Sequence, residues 1–268
     1  MATKSEKKLK RIVAVGCNKG GVGKSVVSRA LTDFYRSAAK GVHVYDADGG
    51  VGSLVIAYGT KDANGNLLKE QNPAEGVGYY DIRSDASRNT FLDSLASGAD
   101  IILHDMAGGS LNELKRIVDD GDGVDGLLDA VEAQGYRITF LHVLSNVQGA
   151  TASVREYLNA FGDRADHVAV VNKAWGKVDE DFPFWNGYEV NGVKKGGKTK
   201  DDLLAGGGVE LHFPALQPGT FAKVEAGNTP YSAAEGSTEL SITERAHLSK
   251  FNKTTAAEFL KIKDKLGL

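Results

Sequence analysis

Between residues 16 and 25 the chain reads Gly16-Cys17-Asn18-Lys19-Gly20-Gly21-Val22-Gly23-Lys24-Ser25. Glycines crowded in this way let a backbone approach phosphate oxygens and turn its N–H groups toward them, where a Cβ would block the approach. Lys24 is spaced to reach the β- and γ-phosphates, and the Ser25 hydroxyl to ligate Mg²⁺. A helix opening directly after such a loop adds the positive end of its dipole. The chemistry implied is binding of a nucleoside triphosphate with Mg²⁺. The loop departs from the general G-x-x-x-x-G-K-[ST] pattern in two places, since Asn18 stands where the first glycine belongs and a second lysine, Lys19, follows it.

Two further stretches carry acids at the ends of apolar runs. Val42-His43-Val44-Tyr45 leads into Asp46-Ala47-Asp48-Gly49-Gly50, and Ile101-Ile102-Leu103-His104 leads into Asp105-Met106-Ala107-Gly108-Gly109. Carboxylates at such points can hold Mg²⁺ through water or orient the water that attacks a γ-phosphate, because phosphoryl transfer is mostly positioning and charge stabilisation. Read alone, the Asp46/Asp48 pair is also what a solvated turn looks like, and Asp105 what a helix cap looks like. Asn172, after Val168-Ala169-Val170-Val171, is likewise compatible with a simple turn.

These residues need a scaffold that brings their strand ends together. Arg11-Ile12-Val13-Ala14-Val15 reads as a strand and Ser25 to Tyr35 has helical spacing. Apolar runs recur at 42–45, 101–103, 138–143, 168–171 and 209–213, separated by helical patterns at 88–96, 111–118, 124–132 and 150–161. The alternation predicts an α/β architecture, a doubly wound and mostly parallel sheet flanked by helices, with ligand chemistry at the carboxyl ends of the strands. A length of 268 residues without a compositional break is read as one domain spanning 1–268. Residues 174–200 look like a surface insertion: Trp175, Phe182, Phe184, Trp185 and Tyr188 precede Asn191-Gly192, a type I′ hairpin signal between Tyr188-Glu189-Val190 and Val193.

The string K-G-G-x-G-K-[ST] resembles the deviant Walker A motif of the ParA/MinD superfamily of P-loop ATPases. The resemblance runs in order along nearly the whole chain, and the loop is its specific part. It implies the P-loop NTPase fold, with Gly20, Gly21, Val22, Gly23, Lys24, Ser25 and Val26 around ATP and with Lys19 reaching across a sandwich dimer to the partner's phosphates. By the same resemblance Asp48 activates water, while Asp46 and Asp105 join Ser25 around the metal. Gly108 or Gly109 would offer an N–H to the γ-phosphate, and Asn172 with the Pro214 loop would contact the base. Ala222 to Pro230 resembles the family's closing pattern. Two departures stand out: Gly49-Gly50 replaces the usual Pro-Gln, and Ala107 replaces a proline, which implies looser switch loops with the same chemistry.

The implied activity is a slow, partner-stimulated ATPase of the ParA type, dimeric with ATP and bound nonspecifically to DNA during plasmid or chromosome partition. The implied partners are a second copy, DNA and a stimulating adaptor, in a cytoplasmic, nucleoid-associated setting. Alternatives are a MinD-like or conjugation-associated positioning ATPase and a small-molecule phosphotransferase or ligase of the dethiobiotin synthetase type. A net charge of −3 excludes a globally basic surface but leaves room for local patches at Lys4/Lys7/Lys8/Lys10, at Lys194/Lys195/Lys198/Lys200 and near Lys250–Lys265. One cysteine excludes an internal disulfide and the paired cysteines of a shared iron–sulfur cluster, and fits a reducing compartment. No apolar stretch reaches membrane-span length, and the polar Met1–Lys10 start does not read as a secretory signal. Phe259, Leu260, Ile262 and Leu266 make a stripe too short and too mixed in charge for a membrane-surface helix, so it is expected to dock on the sheet.

Overall fold

The computed structural model describes residues 9–38, 41–49 and 52–268. Lys4, Lys7, Lys8 and Gly50, singled out above, lie outside the described residues. The sheet is built from β1 (Lys10–Gly16), β2 (Val42–Asp46), β3 (Gly78–Tyr79), β4 (Ile101–Asp105), β5 (Tyr136–Leu144), β6 (Asp166–Asn172) and, after a separate hairpin, β9 (Val209–Phe213). Among the described residues its order is β3-β2-β4-β1-β5-β6-β9, and every neighbouring pair is parallel. The expected doubly wound α/β sheet is therefore present, parallel throughout.

Parallel strands are covered on both faces, which is why their sequences are continuous apolar runs. In β1 the alternation is split between two cores. Val13 and Val15 enter one with α1 (Lys24–Ala38) and α11 (Ile242–Lys261), while Ile12 and Ala14 enter the other with α4 (Ser110–Lys115) and α5 (Asp125–Ala133). The helix expected at 88–96 is shorter, an α-turn at Thr90–Asp93 (α3) running into a 3₁₀ turn at Ser94–Ser97. Gly98, left-handed at φ 68°, ends it. The pattern at 150–161 becomes α6 (Gln148–Phe161). The short helix α2 (Ser53–Tyr58) and β3 had no counterpart in the sequence pattern.

The hairpin of β7 (Tyr188–Val190) and β8 (Val193–Lys195) forms with Val190 opposite Val193. Both turn residues have positive φ, 52° at Asn191 and 76° at Gly192, as a type I′ turn requires. Phe182 and Trp185 are buried in the main core, whereas Lys194 and Lys195 are exposed. The closing helix α11 starts on a capping box, Ser241 with Glu244, and docks on β9 through Leu248, Phe251 and Phe259. Ile262 and Leu266 are buried beyond it, and only Leu260 of the stripe faces out. No helix among the described residues is long and apolar enough to cross a membrane.

Candidate nucleotide-binding site

The glycine-rich loop joins the carboxyl end of β1 to the first turn of α1, where Val27 donates its N–H to the Gly23 carbonyl at 3.2 Å. Gly21 and Gly23 adopt φ of 76° and 102°, the left-handed side that favours glycine. A Cβ at Gly20 or Gly21 would meet nothing within 4 Å, so an open concavity lies over them. At Gly23 it would fall 2.4 Å from Asn172 Nδ2. That amide instead donates to the Val22 carbonyl at 2.9 Å, and Trp175 Nε1 donates to the same oxygen at 3.1 Å. The loop is thus held by two residues about 150 positions away. Asn172 Oδ1 accepts the Ala174 N–H at 3.1 Å, which completes the turn expected after β6.

Asn18, the departure from the general loop pattern, is explained by its partners. Its N–H donates to Ser153 Oγ at 2.9 Å and its Nδ2 to the Glu156 carboxylate, both on α6. Lys19 is exposed. Its aliphatic stem lies beside Gly149, where a Cβ would stand 3.6 Å from Lys19 Cδ.

The carboxylates converge because β1, β2 and β4 end together: Ala47 donates to the Asp105 carbonyl at 2.9 Å and Met106 to the Val15 carbonyl at 3.0 Å. Asp46 and Asp105 are register partners on β2 and β4. Asp105 is buried and accepts the Ser28 hydroxyl at 2.8 Å. Burial first, and Asp46 second, push its carboxyl up to about 7, against the pull of Ser28, Ser25 and Lys24. Burial also raises Asp46, although the N–H groups of Asp48 and Val55 each donate to it at 3.1 Å. Asp46 therefore anchors the first turn of α2 as well as facing Asp105. Asp48 is half-exposed and ion-paired with Arg83 at 2.6 Å.

One cavity of about 680 Å³ connects these parts, a volume suited to a small ligand. Of the residues expected from sequence, Gly20, Gly21, Gly23, Lys24, Ser25, Val26, Asp48, Asp105, Asn172 and Pro214 line it. Lys19, Val22, Asp46 and Gly109 do not line it, and Gly108 stands at the wall in place of Gly109. Leu216, in the loop expected to meet the base, lines the cavity, while sequence reading missed Arg83, which follows a two-residue strand without periodicity, and the apolar wall of Phe221 and Phe251. Trp175 drew notice only as one of several crowded aromatics.

A glycine loop feeding a helix N-terminus, with an acid at the end of the adjacent strand, decides the architecture. This is the P-loop NTPase fold. No protein-family model matches the sequence, and no curated protein matches it. Among solved structures the P-loop chain is similar to the MinD cell division protein of Aquifex aeolicus, with 13% identity over 94% of this chain and 97% of that one and a TM-score of 0.49. A nucleotide-binding protein of Archaeoglobus fulgidus in complex with ADP shares 18% identity over 82% and 86% of the chains, TM-score 0.45. The apo McdA of Cyanthece shares 8% over 90% and 98%, TM-score 0.43. At such identities a P-loop site is read from its own residues.

The donor set at the loop fits Mg²⁺. This small cation takes one or two carboxylates, a hydroxyl, phosphates and waters rather than an all-protein cage. Ser25 and Asp105 provide the hydroxyl and one carboxylate beside the open concavity, and two raised carboxylates abreast are a pair whose charge a divalent cation would relieve. Among the described residues no group of three His, Cys, Asp or Glu side chains forms a larger cage.

Proposed function

We propose that this chain is a P-loop ATPase of the ParA/MinD type, which binds ATP with Mg²⁺, dimerises around it and separates after hydrolysis. The observation carrying the proposal is the single cavity in which Gly20, Gly21, Lys24, Ser25, Asp48 and Asp105 meet a wall containing Asn172 and Pro214. In this reading the loop N–H groups and Lys24 hold the β- and γ-phosphates, aided by the N-terminus of α1. Ser25 and Asp105, with Asp46 behind, would hold Mg²⁺, which would supply charge neutralisation to the phosphates. Asp48 orients the attacking water, Gly108 and Gly109 follow the γ-phosphate, and Asn172 and Pro214 meet the base.

Dimerisation rests on Lys19. Its stem lies against Gly149 and it stands outside its own cavity lining, which supports a role directed at a second copy. DNA as the surface on which the dimer is retained, an adaptor that speeds hydrolysis, and partition as the task are the finer parts of the proposal. DNA retention would weaken steeply with salt, since it would be carried by phosphate contacts.

Light scattering tests the dimer switch. Wild type is expected to double its molar mass with ATP and Mg²⁺ or a nonhydrolysable analogue, but not with ADP. Lys19→Ala is expected to stay monomeric while still binding nucleotide. A monomer in every condition despite demonstrated ATP binding would overturn the dimer reading and leave a phosphotransfer enzyme as the better account.

A further inference from the structure

Arg83 is a charged residue of the cavity wall to which nothing above gives a task. Its backbone is held firmly. Tyr80 donates to the Asp46 carbonyl at 3.0 Å, Gly49 to the Tyr80 carbonyl at 3.0 Å, and Ile82 to the Ala47 carbonyl at 3.2 Å. Asp48 and Asp81 form an isolated bridge between the same two segments. The loop carrying Asp48 and the segment leading to Arg83 are therefore tied together by backbone hydrogen bonds. The guanidinium is shared: Nε donates to Asp81 at 3.0 Å and Nη2 to Asp48 at 2.6 Å. Nη1 has no partner among the described residues, and the side chain is half-exposed in the same cavity as Lys24, Ser25 and Asp105.

A planar fork of this kind presents donors to two anions at once in a fixed geometry, which the rotating ammonium of a lysine does not fix. Asp48 without its cation would be a bare carboxylate facing whatever phosphates the cavity holds. It would repel a triphosphate more than a diphosphate, because the triphosphate carries more charge toward it.

We propose that Arg83 is the residue that senses the terminal phosphate, its guanidinium bridging Asp48 to the γ-phosphate end of a bound triphosphate so that triphosphate is distinguished from diphosphate and Asp48 is positioned. This rests on the ATPase reading above. Arg83 is a positioning residue for Asp48 and a specificity residue for the nucleotide.

The test is calorimetric titration of ADP and of a nonhydrolysable ATP analogue, with Mg²⁺, into wild type, Arg83→Ala, Arg83→Lys and the double variant Arg83→Ala/Asp48→Asn. Arg83→Ala is expected to weaken the triphosphate analogue about 10- to 100-fold, the range of one lost charge-assisted hydrogen bond, and ADP less than about 3-fold. Arg83→Lys falls between, because it keeps the charge and loses the fork. The double variant recovers part of the triphosphate affinity, because the repelling carboxylate is gone while the lost hydrogen bond to the phosphate is not restored. Equal losses for both nucleotides, no loss at all, or no recovery in the double variant would each overturn the proposal. Wild type that binds neither nucleotide would instead overturn the ATPase reading, and Arg83's role with it. Matching thermal melts of wild type and Arg83→Lys keep misfolding from imitating the expected result.

Discussion

Replacing Gly52 by alanine is a one-carbon perturbation with a large expected effect. Gly52 precedes α2 with φ −69° and ψ 147°, which alanine adopts without strain, so backbone preference plays no part. The difficulty is space. An added Cβ would stand 2.1 and 2.3 Å from the two carboxylate oxygens of Asp46 and 2.5 Å from its Cγ. Asp46 is fully buried and cannot retreat into solvent. It must leave the N–H groups of Asp48 and Val55, and hydrogen bonds to a charged group contribute about 1.5–3 kcal/mol each. The expected loss is therefore roughly 3–6 kcal/mol, against about 0.5 kcal/mol for Gly20→Ala, where the Cβ would meet nothing within 4 Å. Urea unfolding followed by circular dichroism measures the difference, and with a slope of about 3 kcal/mol per molar the midpoint of Gly52→Ala should fall by at least about 1 M. A Gly52→Ala midpoint equal to that of Gly20→Ala would refute the claim that the Asp46 carboxylate is pinned between β2 and α2.

Further outcomes follow from the same packing. Gly23→Ala places a Cβ 2.4 Å from Asn172 Nδ2 at φ 102°, so it should abolish nucleotide binding in a titration, and retained affinity would show that the loop is not latched by Asn172. Burial lowers His104 to about 3 and His167 to about 4, and burial with the neighbouring His167 holds His142 well below its ordinary value, so the unfolded chain binds protons that the native one refuses. The stability that these histidines contribute is then complete above about pH 6.5 and is lost as the pH falls toward about 3. For His104, which meets the Tyr80 hydroxyl at 3.0 Å, the loss relative to His104→Gln should be on the order of 4–5 kcal/mol. Unfolding curves that stay parallel between pH 7 and pH 4 would contradict this. Trp175 lines the cavity at 44% exposure while Trp185 is buried, so nucleotide should change the fluorescence of wild type and not of Trp175→Phe. A signal surviving in Trp175→Phe would assign it to Trp185.

The strands were legible because parallel strands buried on both faces must be apolar throughout, and β9 falls at the expected residues 209–213. The P-loop was legible because its glycines, lysine and serine act through spacing along a single turn. The Asn191-Gly192 hairpin was legible because a type I′ turn needs two residues that tolerate positive φ. Such signals are local, and local periodicity carries no information about what stands opposite. The two-residue β3 and the one-and-a-half turns of α2 are too short to show a period, yet they bring Arg83 to Asp48 and give Asp46 its anchoring task. Asn172 looked like a turn residue or a base contact, and only the packing of β6 beside the loop joins it to Val22 across 150 positions. The residue types of a phosphate site are thus written in the chain, while the pairing of its charges depends on register between strands distant in sequence.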